Sequence, residues 1–159
     1  MRYNIKIIFV EILLSIKRHK STFLGASIDL AIIAIHAQIP PHLMAWCLDD
    51  TFSSRFVRQD PPFSVFLSQN TESTNVEYYW EGNETGCEMW IIENKGTGGM
   101  LYSGKPTPDF WLLMRGAEDM GGIEDWLRGI KTIASIQLAY PFPADKHSKL
   151  HWVNALSHL

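Results

Sequence analysis

Three groupings in this 159-residue chain bring together residue types that do chemistry. Gly96-Thr97-Gly98-Gly99 follows an apolar run, and glycine lets successive backbone N–H groups close around an anion. A phosphate loop also needs a helix behind it and a Lys-Ser/Thr ending. Met100 to Tyr102 and the prolines Pro106 and Pro108 follow instead, so a plain turn is expected, with Met100 to Tyr102 as a short edge strand. His147 and His151 stand four apart, which on a helix puts two imidazoles on one side, and His158 is near. No carboxylate or thiol at a matching spacing completes a tetrahedral set, so these are read as solvated histidines and no metal is expected. Asp29, His36, Glu93, Asn94 and Asp109 are polar residues inside strand-like patterns. Each must find a partner if buried, and structural hydrogen bonds at strand ends are the simplest provision. No nucleophile and base are paired by spacing, so no catalytic, cofactor-binding or metal-binding residue is assigned.

The aromatic residues carry the strongest hint of function. Tyr79, Trp90 and Trp111 occupy the phase opposite to the main apolar series of their strands. If helices cover one side of the sheet, these rings form an exposed face on the other. Such a face binds a protein partner by burial or single-stranded nucleic acid by stacking. It can also be covered by residues 1 to 20 or by a second copy in a homodimer.

Composition narrows the choice. Hydrophobic residues make up 46% and charged ones 19%, which favours a packed core over disorder. The net charge of −3 offers no large basic face for nucleic acid, and Glu77, Glu81 and Glu88 place acid on the candidate sheet surface. Cys47 and Cys87 lie in separate apolar contexts and are expected to be buried, reduced thiols.

The elements that position these residues follow from patterning. Residues 5 to 16 form a dense apolar run flanked by Arg2 and Lys6 and by Lys17-Arg18-His19-Lys20. It is too short to span a bilayer and lacks a small-residue cleavage site, so it reads as an N-terminal extension over 1–16, with membrane contact conceivable only through residues 1–20. The β-branched run Ile28 to Ile35 predicts a strand buried on both faces. Pro40-Pro41 opens a helix with Leu43, Trp46, Cys47 and Asp50 at helical spacing. Alternation marks strands at Phe63–Leu67, Val76–Trp80, Cys87–Ile92 and Phe110–Met114. A helix after Gly121-Gly122 collects Ile123, Trp126, Leu127 and Ile130 on one face, and Ile136, Leu138 and Tyr140 make a last strand. The expected fold is α+β in the order β-α-β-β-β-β-α-β, a mostly antiparallel sheet with two helices on one face. Residues 17–150 form one domain and 151–159 a C-terminal tail.

The stretch Ile91-Ile92-Glu93-Asn94-Lys95, the glycine loop, Leu101, and Pro108-Asp109-Phe110-Trp111-Leu112-Leu113 with Gly116 resembles the IPExxxVDY family of small bacterial proteins. Ile28 to His36 with Leu43-Met44-Ala45-Trp46, and Ile133 to Leu150, are similar to that family's opening and closing regions. At the naming motif Tyr102-Ser103-Gly104 stands where Ile-Pro-Glu would be, and Pro108-Asp109-Phe110 stands for Val-Asp-Tyr. The resemblance covers most of residues 18 to 153 and implies a cytoplasmic, bacterial setting, in which the acceptor-like Asn83-Glu84-Thr85 has no role. It implies no activity. The expected function is a non-catalytic domain, without cofactor, that binds or scaffolds protein through the aromatic face. An RNA-binding accessory protein is the alternative, and a small enzyme comes third.

Overall fold

The computed structural model describes residues 30–82 and 84–156. The apolar run at 5–16, Ile28, Asp29, Asn83 and His158 lie outside the described residues. The fold is α+β and mostly antiparallel, as patterning predicts. Eight strands are described: β1 (Leu30–His36), β2 (Val57–Arg58), β3 (Phe63–Ser68), β4 (Thr71–Asn75), β5 (Glu77–Glu81), β6 (Glu88–Glu93), β7 (Phe110–Arg115) and β8 (Leu138–Pro141). Helix α1 spans Pro41–Phe52 and α2 spans Gly122–Ile130. Six strands form one sheet in the order β2-β5-β6-β7-β1-β8, while β3 and β4 pair as a separate hairpin. Met100, expected in an edge strand, makes only an isolated bridge to Lys95.

β1, β6 and β7 are near-continuous apolar runs because the centre of the sheet is buried on both sides. On the first face Ile33, Ile35, Met89, Ile91, Leu112 and Met114 pack with Met44 and Leu48 of α1 and Trp126 and Ile130 of α2. Both helices therefore cover the same face. Proline at the start of α1 supplies a preset backbone angle, and the helix ends where Ser53 turns left-handed at φ 54°. Asp49 secures that end by accepting from Ser54 Oγ and the Phe56 N–H, both at 2.9 Å.

The second face holds Ile32, Ala34, Trp90, Ile92, Trp111 and Leu113. It was expected to be open, and it is not. The β3–β4 hairpin brings Phe63 over it, and the chain after β8 adds Phe142, Leu150, Trp152 and Leu156. These last residues come from two short 3₁₀ turns, Ala144–Lys149 and His151–Ala155. The expected solvated tail thus supplies a fully buried tryptophan, Trp152. The molecule is three layers deep: helices, sheet, and a mixed cover of hairpin and C-terminal turns.

Candidate functional site

The three rings of the expected binding face sit on paired strands, and two of them are not at the surface. Tyr79 pairs in register with Trp90, and Ile92 with Trp111. Trp90 and Trp111 are both 0% exposed. Trp111 stacks edge-on against Phe142 at 5.1 Å and Tyr102 at 5.7 Å, with Trp152 5.9 Å away. Trp90 lies between the Tyr79 ring, 5.5 Å away, and the Arg115 guanidinium, 5.6 Å from its centroid. The expected exposure of these two tryptophans is therefore corrected. Period-two alternation sent them to the side away from the helices, but a third layer covers that side.

Tyr79 remains half-buried, and its hydroxyl donates to Glu88 Oε1 at 2.8 Å. Burial and the Glu88 carboxylate hold that phenol well above the usual tyrosine range. Arg115 Nε donates to Glu88 Oε2 at 2.6 Å, so Glu88 is shared between a phenol and a guanidinium. The acidic sheet surface expected from Glu77, Glu81 and Glu88 dissolves accordingly: Glu77 is buried, Glu88 is paired, and Glu81 alone is exposed.

Asn94 explains why Trp111 tolerates burial. Its Oδ1 accepts from Trp111 Nε1 at 2.9 Å and from the Tyr102 N–H at 3.0 Å. Its Nδ2 donates to the Tyr102 and Pro108 carbonyls, both at 2.9 Å. One side chain thus ties β6, the connector after the glycine loop and β7 together, which is the structural hydrogen bonding expected at strand ends. Asp109 does similar work, with Oδ2 accepting from the Ala37 N–H at 2.9 Å. His36 stacks on Tyr140 at 5.8 Å, and its Nε2 is buried without a hydrogen-bond partner among the described residues.

Beside this hub opens a cleft of about 280 Å³ lined by Gln38, Ile39, Glu93, Lys95, Met100 and Asp109, among others. Burial raises the Glu93 carboxyl, and Lys95 pulls it back. The hydroxyl on its wall, that of Thr107, is committed to the Gly104 carbonyl at 2.9 Å. The cleft accordingly offers charge of both signs without a directed nucleophile. A second cleft, of about 390 Å³, lies between Leu30, Ile32 and the C-terminal turns and includes His147 and His151. His147 is not a solvated tail residue: it stacks on Phe142, and its Nε2 lies 3.1 Å from the Phe142 carbonyl. Among the described residues no group of three or more His, Cys, Asp or Glu is placed to hold a metal ion.

The glycine loop is a turn laid against β4. Thr97 N–H donates to the Thr74 carbonyl at 3.1 Å, Gly98 N–H donates to Ser73 Oγ at 3.3 Å, and a Cβ at Gly98 would collide with the Glu72 carbonyl. Its donors therefore face protein. Cys47 and Cys87 are free thiols. Cys87 is buried, and burial, with Asp119 and Glu88 nearby, pushes its thiol up to about 11. Cys47 is half-buried, with Sγ 3.9 Å from Ser135 Oγ.

The surface feature that the sequence pattern concealed is Trp46. It was assigned to the apolar stripe of α1, yet it is 61% exposed, while Met44, Ala45 and Leu48 form the buried stripe. Among the described residues no helix is long and apolar enough to cross a membrane. In comparisons with known proteins, no family model and no curated sequence matches the chain.

Proposed function

We propose that the chain is a cytoplasmic, non-catalytic domain that holds a protein partner, and that Trp46 on α1 is the anchor of that contact. The observation that carries this reading is a tryptophan 61% exposed on a helix whose opposite side is locked into the core. Tryptophan is costly to leave in water and is enriched among residues that dominate binding energy. A rigid helix presents it at little ordering cost, and the exposed neighbours His42 and Asp50, one turn away on either side, form a polar rim. The free thiols of Cys47 and Cys87 support a reducing compartment, and the resemblance to the IPExxxVDY family supports a bacterial one. The RNA reading is weaker, because a net charge of −3 does not favour phosphate.

A photo-crosslinking amino acid at position 46, incorporated in the cell of origin, tests the proposal. A discrete protein adduct that survives nuclease treatment, and that is missing when the same group is placed at the exposed position 64, is the expected result. A nuclease-sensitive adduct would turn the reading to RNA, and equal adducts at both positions would remove Trp46 as the anchor.

A further inference from the structure

Both strands of the β3–β4 hairpin leave the main sheet at Glu77. β4 ends at Asn75, and only Val76 separates it from Glu77 at the start of β5. On the other side β2 ends at Arg58, the Gln59 N–H donates to the Glu77 carbonyl at 2.9 Å, and Asp60 to Pro62 carry the chain over to β3. Glu77 is therefore the root from which the cover rises.

Its side chain lies on the covered face. It shares the parity of Tyr79 and of its register partner Ile92, which belongs to the buried cluster beneath the hairpin. Glu77 is 2% exposed, and its Oε1 has no hydrogen-bond partner among the described residues.

Among the described residues, no neighbouring group offers it a charge. Val57 and, beyond it, Gln59 are the same-face residues of the β2 edge; Trp90 and Ile92 are those of β6. The buried or half-buried residues of the hairpin strands are Phe63, Val65, Leu67, Ser73, Thr74 and Asn75, none of them charged. On β5 itself the titratable residues of that face are Tyr79, whose hydroxyl is engaged by Glu88, and Glu81, which is exposed at the far end of the strand. Arg58, Asp60 and Glu72 are exposed, and Glu93 and Arg58 belong to the opposite face.

We propose that Glu77 is a proton-operated latch for the hairpin: protonated, it lets β3–β4 lie closed over the tryptophan face, and ionised, it drives the hairpin away from the sheet. A carboxylate without a partner in an apolar layer is strongly disfavoured, and water is its cheapest relief. The hairpin is the cover that can admit that water, since its strands share no ladder with the six-stranded sheet. β4 is tied to its surroundings by the glycine loop and by the Asn75 amide, which donates to the Glu93 carbonyl at 2.8 Å.

Burial raises the carboxyl from 4.5 to about 7 in the closed form. The open form, with Glu77 in water, ionises at the ordinary value. The closed form therefore binds the extra proton between those two values, so the closed state is fully favoured below about 4.5, loses ground as pH rises, and levels off above about 7.

Amide hydrogen exchange across pH 4 to 8, corrected for intrinsic rates, reads the latch directly. Residues 63–75 should be less protected than the β7 core at every pH, because the hairpin opens without global unfolding. Their protection should fall by about tenfold per pH unit inside the window, and Glu77→Gln or Glu77→Leu should flatten that slope. Hairpin amides protected equally to those of β7 would overturn the proposal, since opening would then be global. So would a slope that is absent in the parent protein or that survives in a charge-free variant. The comparison of hairpin with β7 needs no variant, so it stands even if one substitution fails to fold.

Discussion

Asn94 is a residue whose removal leaves more unsatisfied than it takes away. Its four side-chain hydrogen bonds satisfy the Trp111 indole, both backbone groups of Tyr102 and the Pro108 carbonyl. Each buried group so orphaned costs about 1–3 kcal/mol. Asn94→Ala should therefore lower stability by on the order of 3 kcal/mol in urea unfolding, with a much smaller effect from alanine at the exposed Asp50. The sequence marked Asn94 and Asp109 as polar residues needing partners, but those partners, the Trp111 indole apart, come from loops and lie beyond any spacing rule. Glu77 was read as surface acid because alternation says which residues share a face and not what lies over it. The sign of its effect is opposite to that of a salt-bridged carboxylate: with a folded-state value of about 7, stability is greatest in acid and is lost as pH rises from about 4.5 to 7. Glu77→Gln should therefore gain in melting temperature relative to the parent protein at pH 8 and lose that advantage at pH 4, by thermal unfolding at both.

Among the elements, both helices were legible, but the buried face of α2 could be read and that of α1 could not, for a physical reason. In α2 the apolar residues Ile123, Trp126, Leu127 and Ile130 are separated by Glu124, Asp125 and Arg128, so one stripe fits. In α1 apolar residues surround the helix, and the sets Leu43-Trp46-Cys47 and Met44-Ala45-Leu48 point about 150° apart around its axis. The sheet above it, already buried, selects the second set. β4, Thr-Glu-Ser-Thr-Asn, carries no apolar alternation and was missed; it is held by its register with β3 and by the glycine loop. The C-terminal turns were missed because 3₁₀ segments have no amphipathic period long enough to read. Trp152 nonetheless sits fully buried against Phe63 and Trp111. Trp152→Ala should cost about 3–5 kcal/mol, measured by chemical denaturation, whereas alanine at the exposed His151 in the same turn should change stability little.

At the scale of the whole molecule, both faces of the six-stranded sheet are covered and both edges are poor templates for pairing. β2 has two residues, and β8 ends in Pro141, which has no N–H to give. Among the described residues, the large apolar side chains that project from the surface are Trp46, Val57, Phe66, Met100 and Leu138, and the proposed contact is placed on them. Trp46 offers the largest and most rigid of these contacts. The central claim is a division of labour among tryptophans: Trp90 and Trp111 hold the fold, and Trp46 makes the contact. The direct test pairs Trp46→Ala with Trp90→Ala and measures, for each, the unfolding free energy and the yield of nuclease-resistant protein captured from an extract of the cell of origin. Trp46→Ala should reduce capture by tenfold or more with unfolding free energy within about 0.5 kcal/mol of the parent, while Trp90→Ala should lose about 3–5 kcal/mol of stability. A Trp90→Ala protein of unchanged stability that no longer captures its partner, beside a Trp46→Ala protein that still does, would contradict the account.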